Sequence, residues 1–177
     1  NHIGIPITIL KIKPDAEIAI IEMGANHQKE IEEYCTYTMP THGAITNCGK
    51  AHLEGFGSEE GIRKGKGELF DYLRENKGTA FIMWDYWYLQ NMSAGIENII
   101  TYGTHNAEVT GIVKNSTGLL EVEITSDAVL NSLMTNLVGE YNLPNILLAA
   151  AIGKHFKVPG KKIKAALENY LPSNSRS

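Results

Sequence analysis

The fold class can be inferred from residues 43–70, which read GAITNCGKAHLEGFGSEEGIRKGKGELF. The first five of these residues form a short, mostly apolar run that is typical of a buried strand. A glycine-rich loop follows at residues 49–57. Ser58 is then a suitable helix N-cap, and the two glutamates after it suit the positive end of a helix dipole. We predict that this helix runs to about Asn76.

The flanking sequence repeats this alternation of apolar runs and helix-compatible segments. Such an alternation is typical of an α/β fold, a mostly parallel sheet with flanking helices. The predicted strands are residues 17–22, 43–47, 79–83 and 98–102. The other predicted helices cover residues 28–37 and begin near Asn142 and after Gly160. Residues 108–114 and 119–125 alternate in period two around a polar turn, which predicts a small antiparallel hairpin with one solvated face.

The composition limits the partners that we expect. With 16 basic and 20 acidic side chains the formal net charge is −4, and no basic stripe is present, so no nucleic acid is expected. No apolar run approaches the roughly 20 residues that span a bilayer, so no membrane partner is expected. Cys35 and Cys48 do not form a CxxC pair, which argues against a zinc site and favours a reducing, cytoplasmic compartment.

Two polar residues follow predicted strands. Glu22 closes the strand at residues 17–22, and His52 lies in the glycine-rich loop after the strand at residues 43–47. Ligands of open α/β sheets gather at the carboxyl ends of strands, so a carboxylate there can bind a cation. Glycines let the backbone approach a ligand closely. A solvated strand-end acid and a loop histidine with no ligand remain open as alternatives.

Lys66 falls on the apolar stripe of its predicted helix, four residues after Ile62 and four before Phe70. Its neighbours Gly65 and Gly67 each cost roughly 1 kcal/mol relative to alanine in a helix, which suggests that something approaches the helix closely. Two interpretations remain open. The lysine extends its ammonium to the edge of the core, or desolvation lowers its pKa and makes it reactive.

Asn142 has a simpler interpretation from the residues alone. With Pro144 two residues later, it fits the N-cap and first turn of a helix. A phosphate-binding loop of the form GxxxxGK[ST] does not occur in the sequence.

Taken in order, three motifs resemble consecutive motifs of the Mur ligases. They are IEMGANH at residues 21–27, TNCGKAHLEGFGS at 46–58 and KGKGELF at 64–70. The segment GEYNLPN at residues 139–145 is similar to a motif that opens a helix near the end of that family's middle domain. Within the family, the motifs look most like those of the members that add D-alanyl-D-alanine to a UDP-N-acetylmuramoyl-tripeptide.

The resemblance implies a role for each candidate residue. Glu22 matches the acid that binds magnesium between the nucleotide phosphates, and His52 matches the ligand of a second magnesium. Lys66 matches the lysine that family members carbamylate. Carbon dioxide adds only to a neutral amine, and the resulting anion is an oxygen donor that suits Mg²⁺. Asn142 matches a residue that contacts the adenine.

The implied reaction uses ATP and Mg²⁺. ATP phosphorylates the terminal carboxylate of the UDP-linked tripeptide, and the amine of D-alanyl-D-alanine then attacks the acyl phosphate. The resemblance also implies that residues 1–177 are a middle domain truncated at its N-terminus. The phosphate-loop strand and helix, the N-terminal UDP-substrate domain and the C-terminal domain then lie outside it. We expect the full-length protein to be a monomer, and the chain alone to be inactive and to self-associate.

Two departures from the family pattern affect these implications. Met83-Trp84-Asp85 stands where the family usually has Asn-Ala-Asp, so only Asp85 carries over. Glu140 stands where many members have arginine, which reverses the charge beside Asn142.

Three other functions remain as alternatives. A related ligase with another substrate is the nearest, because substrate choice in this family lies largely in the terminal domains. A non-catalytic binding module would keep the sheet without the chemistry. A metal-dependent hydrolase built on a carbamylated lysine would need more convergent histidines or aspartates than the sequence offers.

Overall fold

The computed structural model describes residues 3–49 and 53–172. Its helices are α1 (Gly4–Leu10), α2 (Glu30–Thr38), α3 (Leu53–Phe56), α4 (Glu59–Glu75), α5 (Trp87–Met92), α6 (Leu143–His155) and α7 (Gly160–Asn169). Its strands are β1 (His42–Ala44), β2 (Thr79–Met83), β3 (Asn98–Gly103), β4 (Val109–Asn115), β5 (Leu119–Ile124) and β6 (Leu133–Val138). None of the described helices is long and apolar enough to cross a membrane.

The strands form a six-stranded sheet in the order β1-β2-β3-β4-β5-β6. Strand β4 pairs in parallel with β3 and antiparallel with β5, and β5 pairs antiparallel with β6. The predicted α/β class, a mostly parallel sheet with flanking helices and an antiparallel hairpin, is confirmed. The hairpin is larger than predicted, because β6 adds a third antiparallel strand to it.

The chain divides into two compact units, which are described separately. The first contains Asn1–Ala80 and Gly95–Asn98, and the second contains Phe81–Ala94 and Ile99–Ser177.

In the first unit, α2 and α4 supply most of the buried apolar side chains. Ile31, Tyr34 and Cys35 of α2 form a cluster with Ile5 of α1. Burial raises the pKa of the Cys35 thiol to about 11, so this cysteine is a packing residue rather than a thiolate. On α4 the fully buried apolar side chains are those of Ile62, Phe70 and Leu73.

The predicted strand at residues 17–22 is wrong. This segment is irregular, and Ile18 and Ile20 are 53% and 84% exposed. A strand needs a neighbouring strand to pair its backbone groups, and the sheet in the described part of the chain starts at β1. Burial alternates at residues 21–25, where Ile21, Met23 and Ala25 are partly buried and the residues between them are exposed.

In the second unit, one face of the antiparallel strands packs on helix α6. Leu120, Val122 and Ile124 of β5 are fully buried, as is Leu147 of α6. Their neighbour Leu119 points to the opposite face and is 54% exposed. This clean alternation produced the correct prediction of β4 and β5.

Helix α7 covers strand β6, which is the last strand of the sheet. Lys164 Nζ donates to the carbonyl of Ser132 at 2.7 Å, and the backbone N–H of Met134 donates to Glu168 Oε1 at 3.3 Å. Asn136 Nδ2 donates to the carbonyl of Glu168 at 2.7 Å. The Glu168 carboxylate thus occupies a backbone N–H of β6, a kind of group that an edge strand leaves unpaired, and the other two hydrogen bonds attach α7 to β6 and to the residue before it.

The predicted helices correspond to α2, α4, α6 and α7, whereas α1, α3 and α5 were not predicted, and α3 falls within the predicted glycine-rich loop at residues 49–57. The predicted N-cap of α4 is confirmed, since Ser58 Oγ accepts a hydrogen bond from the Gly61 N–H at 3.0 Å.

Candidate functional site

Glycines bring the three sequence motifs of the first unit into contact. A Cβ atom at Gly55 would lie 2.2 Å from the carbonyl oxygen of Asn26, so the loop and the Glu22 segment touch through their backbones. On α4, a Cβ atom at Gly65 would lie 2.4 Å from the ring of Phe56. The expectation that something approaches this helix closely is therefore met at Gly65, by the aromatic ring of Phe56 at the end of α3.

Lys66 extends its amine toward the segment that follows β1. Its Nζ donates to the backbone carbonyl of Asn47 at 2.7 Å, and its side chain is partly buried. Burial raises the pKa of the neighbouring Cys48 thiol, while the positive charges of Lys66 and Arg63 act in the opposite direction. The amine therefore contacts the Asn47 carbonyl and lies near the Cys48 thiol, at the end of the predicted strand at residues 43–47.

Glu22 lies on the exposed side of the alternating segment, between the partly buried Ile21 and Met23. Its carboxylate therefore points away from the apolar cluster of α1 and α2. The predicted position at the end of a buried strand is wrong, because the preceding residues form no strand. The carboxylate still belongs to the segment that touches the glycine-rich loop through Asn26.

His52 lies outside the described residues, so its predicted role stays a prediction. Within residues 3–49 and 53–172, no group of three or more His, Cys, Asp and Glu side chains is arranged to hold a metal ion. Two of the candidate residues nevertheless have oxygen donors that suit magnesium, one of them only after modification. Glu22 offers carboxylate oxygens, and Lys66 offers oxygens only after carbamylation, which are the ligands that a hard cation prefers.

Sequence reasoning missed a buried carboxylate on the same helix as Lys66. Glu68 is 9% exposed and accepts hydrogen bonds from two backbone amides at the start of α2. A signal for it existed, because Gly61, Gly65 and Glu68 occur at positions i, i+4 and i+7 of the helix. Residues at that spacing share a helix face, and two glycines there indicate a closely packed face.

Asn142 lies in the second unit at the junction of a 3-10 turn, Glu140–Asn142, with α6. Asn142 is the N-cap residue of α6, as predicted, with Pro144 in the first turn, but it has helical dihedrals and its side chain makes no capping hydrogen bond. Its Nδ2 instead donates to the carbonyl of Val138 at 2.9 Å.

Glu140, which departs from the family pattern, and Asp85, which carries over from it, both have structural roles. Glu140 accepts a hydrogen bond from Ser116 Oγ at 2.8 Å, which ties the turn before α6 to the β4–β5 turn. Asp85 accepts the backbone N–H of Thr104 through both carboxylate oxygens, at 3.2 and 2.9 Å. Asp85 thus joins the segment after β2 to the segment after β3.

The sequence is similar to a family model and to curated proteins that belong to one family of ligases. The family model described as "Mur ligase middle domain" matches residues 1–153. The UDP-N-acetylmuramoyl-tripeptide--D-alanyl-D-alanine ligase of Escherichia coli (strain K12) is 35% identical over 175 residues, covering 96% of this chain and 38% of that protein. The corresponding ligase of Bacillus subtilis (strain 168) is 31% identical, covering 89% of this chain and 34% of that protein. The chain thus spans less than two-fifths of the length of these relatives.

Solved structures show the same fold. A crystal structure of MurF from Acinetobacter baumannii superposes with a TM-score of 0.87 at 23% identity, over 98% of this chain and 38% of that one. The MurF ligase from Thermotoga maritima, solved in complex with ADP, gives a TM-score of 0.77 at 23% identity, over 98% of this chain and 40% of that one. The match of the family model over most of the sequence shows that the chain belongs to the Mur ligase middle domain family.

Proposed function

We propose that this chain is the ATP-handling middle domain of an amide ligase of peptidoglycan precursor synthesis. The whole enzyme adds D-alanyl-D-alanine to a UDP-N-acetylmuramoyl-tripeptide through an acyl phosphate. Residues 1–177 are the middle domain, and the remaining domains and the phosphate-binding loop are supplied by the rest of a protein of the relatives' length. We also infer a cytoplasmic location, where ATP and UDP-linked precursors are available.

One observation carries this proposal. The Glu22 segment, the glycine-rich loop and the lysine helix touch one another within one compact unit, through Gly55 and Gly65. The contact at Gly55 is between backbones and the contact at Gly65 is with the Phe56 ring, so residues from all three motifs lie close together. The names of the curated relatives supply the substrates, and the ADP complex of the Thermotoga maritima ligase supports ATP as the nucleotide.

The residues take the following roles. Glu22, His52 and carbamylated Lys66 hold Mg²⁺, and Asn142 contacts the adenine. Bound magnesium neutralises charge on the transferring phosphoryl oxygens. Lys66 must lose its proton before it reacts with carbon dioxide, and the Asn47 carbonyl at 2.7 Å holds its amine in place.

The test uses the full-length protein with ATP, Mg²⁺, UDP-N-acetylmuramoyl-tripeptide and D-alanyl-D-alanine. Phosphate release and tetrapeptide-type product should both depend on the dipeptide. Lys66→Arg keeps the positive charge but cannot form the carbamate, so we expect kcat to fall about 100-fold or more, the size of one lost electrostatic contact in a transition state. Removal of dissolved carbon dioxide should lower the activity of the unsubstituted enzyme.

Lys64→Arg is the matched control, because Lys64 is exposed on the same helix. It should retain activity. Product formation with another amine acceptor, but not with D-alanyl-D-alanine, would favour a related ligase with a different substrate. Absence of nucleotide binding by the full-length protein would favour the non-catalytic binding module.

A further inference from the structure

Helix α2 begins without a cap of its own. Its N-cap residue, Lys29, has a left-handed backbone conformation with φ of 74°, and its side chain makes no capping hydrogen bond. The N–H groups of a first helical turn have no acceptors within the helix. In many helices the N-cap side chain and a glutamate at the third helical position supply these acceptors to each other's amides.

A single carboxylate from α4 supplies both acceptors. Glu68 Oε1 accepts the backbone N–H of Lys29 at 2.5 Å, and Oε2 accepts the backbone N–H of Glu32 at 3.0 Å. These are the amides of the N-cap and of the third helical residue of α2. The positive end of the α2 dipole stabilises the buried negative charge, and charge-assisted hydrogen bonds are stronger than neutral ones. Glu68 therefore fixes the start of α2 to α4.

Helix α4 makes a second fixed contact on another side. Lys66 lies two residues before Glu68, which places the two side chains roughly 200° apart around the helix. Its amine donates to the Asn47 carbonyl while the Glu68 carboxylate accepts from α2. The two contacts together set the rotation of α4 between the segment after β1 and the start of α2.

The start of α2 is also joined to the segment that carries Glu22. Glu30 Oε2 accepts the backbone N–H of Asn26 at 2.8 Å, and His27 Nδ1 lies 3.2 Å from Glu30 Oε1. The Asn26 carbonyl touches Gly55 on its other side. A continuous series of contacts therefore leads from the Glu22 segment through α2 to Glu68 on the lysine helix.

We propose that Glu68 is a positioning residue of the ligation reaction, which holds the segment carrying Glu22 at a fixed place relative to Lys66. The inference rests on the proposed function, since Glu22 and Lys66 both serve magnesium binding only in that reaction. Glu68 itself touches neither substrate nor metal in this role. Its loss should loosen the start of α2 and weaken metal-dependent steps more than it weakens the fold.

The experiment compares Glu68→Gln with the unsubstituted full-length enzyme. Glutamine has the same shape but offers one acceptor in place of two, so one of the two α2 amides loses its partner. We expect hydrogen exchange in a peptide covering residues 27–34 to be about 10-fold faster, because an unsatisfied buried donor costs on the order of one factor of ten. The Mg²⁺ concentration for half-maximal ligation should rise by about the same factor.

Two further variants keep the test decisive. Glu75→Gln is the matched control, because Glu75 is an exposed glutamate on the same helix, and it should change neither quantity. Glu68→Asp keeps the charge on a shorter side chain and should give an intermediate effect on both. If Glu68→Gln does not fold, Glu68→Asp carries the comparison.

The outcomes separate this inference from the proposed function. Faster exchange at residues 27–34 with a raised Mg²⁺ requirement supports the positioning role. Faster exchange with an unchanged Mg²⁺ requirement makes Glu68 a structural cap only and overturns it, as does an enzyme in which neither quantity changes. If the unsubstituted full-length protein does not ligate at all, the proposed function fails, and the role of Glu68 in it fails for that reason.

Discussion

The inner face of β5 in the second unit and the surroundings of Lys66 in the first unit are stabilised by different kinds of contact. In the second unit, the inner face of β5 carries Leu120, Val122 and Ile124, which are fully buried and pack as apolar side chains. In the first unit, the segments around Lys66 meet through backbone contacts at glycines and through the Glu68 carboxylate. Apolar packing tolerates small shifts, whereas a carboxylate between two amides fixes distance and direction. The contacts around Lys66 are thus more directional than those on the inner face of β5.

The largest effect on stability is expected from a substitution in the apolar core of the second unit. Leu120→Ala removes buried methyl groups from the inner face of β5, so it should lower the free energy of unfolding by about 3 kcal/mol through lost burial and a residual cavity. Urea denaturation followed by circular dichroism measures this. Leu119→Ala, one residue away on the exposed face, is the control and should change stability by less than about 0.5 kcal/mol. Equal effects of the two substitutions would contradict the description of the second unit.

A smaller effect is expected at a glycine contact of the first unit. A Cβ atom at Gly61 would lie 2.2 Å from the backbone carbonyl oxygen of Phe56, which cannot move aside like the end of a side chain. Gly61→Ala should lower the free energy of unfolding by about 2 kcal/mol, even though alanine favours the helix. Thermal denaturation compares it with Gly24→Ala, where no atom lies within 4 Å of the added carbon. A stabilised Gly61→Ala protein would show that the glycine contacts do not hold the motifs together.

The smallest effect concerns a charge pair in the second unit. Lys154 Nζ donates to Asp127 Oδ2 at 2.9 Å, and this hydrogen bond, ahead of the backbone amides of Val129 and Leu130, lowers the pKa of Asp127 below its ordinary value of 3.8. A carboxyl group with a lowered folded-state pKa contributes stability above its unfolded pKa, and the contribution is lost as the pH falls through the folded value.

Lys154→Met should therefore cost about 1 kcal/mol at pH 7, the range for a partly exposed ion pair, and less below about pH 3.8. Urea denaturation at pH 7 and pH 3 measures the difference. Lys162→Met is the control, because Lys162 is exposed on α7. If Lys154→Met lowers the free energy of unfolding equally at both pH values, Lys154 contributes through its apolar stem alone.

Sequence patterns predicted elements well where one face is apolar and the other polar. Strand β2 was predicted with its observed bounds, Thr79–Met83, and β5 within one residue. Strand β6 was missed because its pattern is inverted. It buries the hydroxyl of Thr135, which donates to the Leu120 carbonyl at 2.8 Å, while it exposes Met134 and Val138. A pattern of apolar positions does not reveal a polar residue that is buried with its hydrogen-bond partner.

The sequence indicated the motifs of the candidate site but not the contacts between them. The residues and the order of the motifs, which resemble those of the family, assigned roles to Glu22, His52, Lys66 and Asn142. The role of Glu68 could not be deduced in the same way, because a charged residue on a helix is usually solvated. Only the packing of α2 against α4 shows that this carboxylate is buried. The strand expected at residues 17–22 failed for a related reason, since pairing depends on a neighbour that a local pattern does not reveal.

Helix α7 covers strand β6, and this contact has a consequence for assembly. An uncovered outer strand can recruit a strand from another molecule, which is how sheets extend between molecules and how cross-β fibrils begin. Here a foreign strand would first have to displace the side chains of Lys164 and Glu168 from Ser132 and Met134, and to separate the Asn136 side chain from the carbonyl of Glu168 on α7. Polymerisation through this end of the sheet is therefore disfavoured, and any dimer of the chain should leave β6 and α7 as they are.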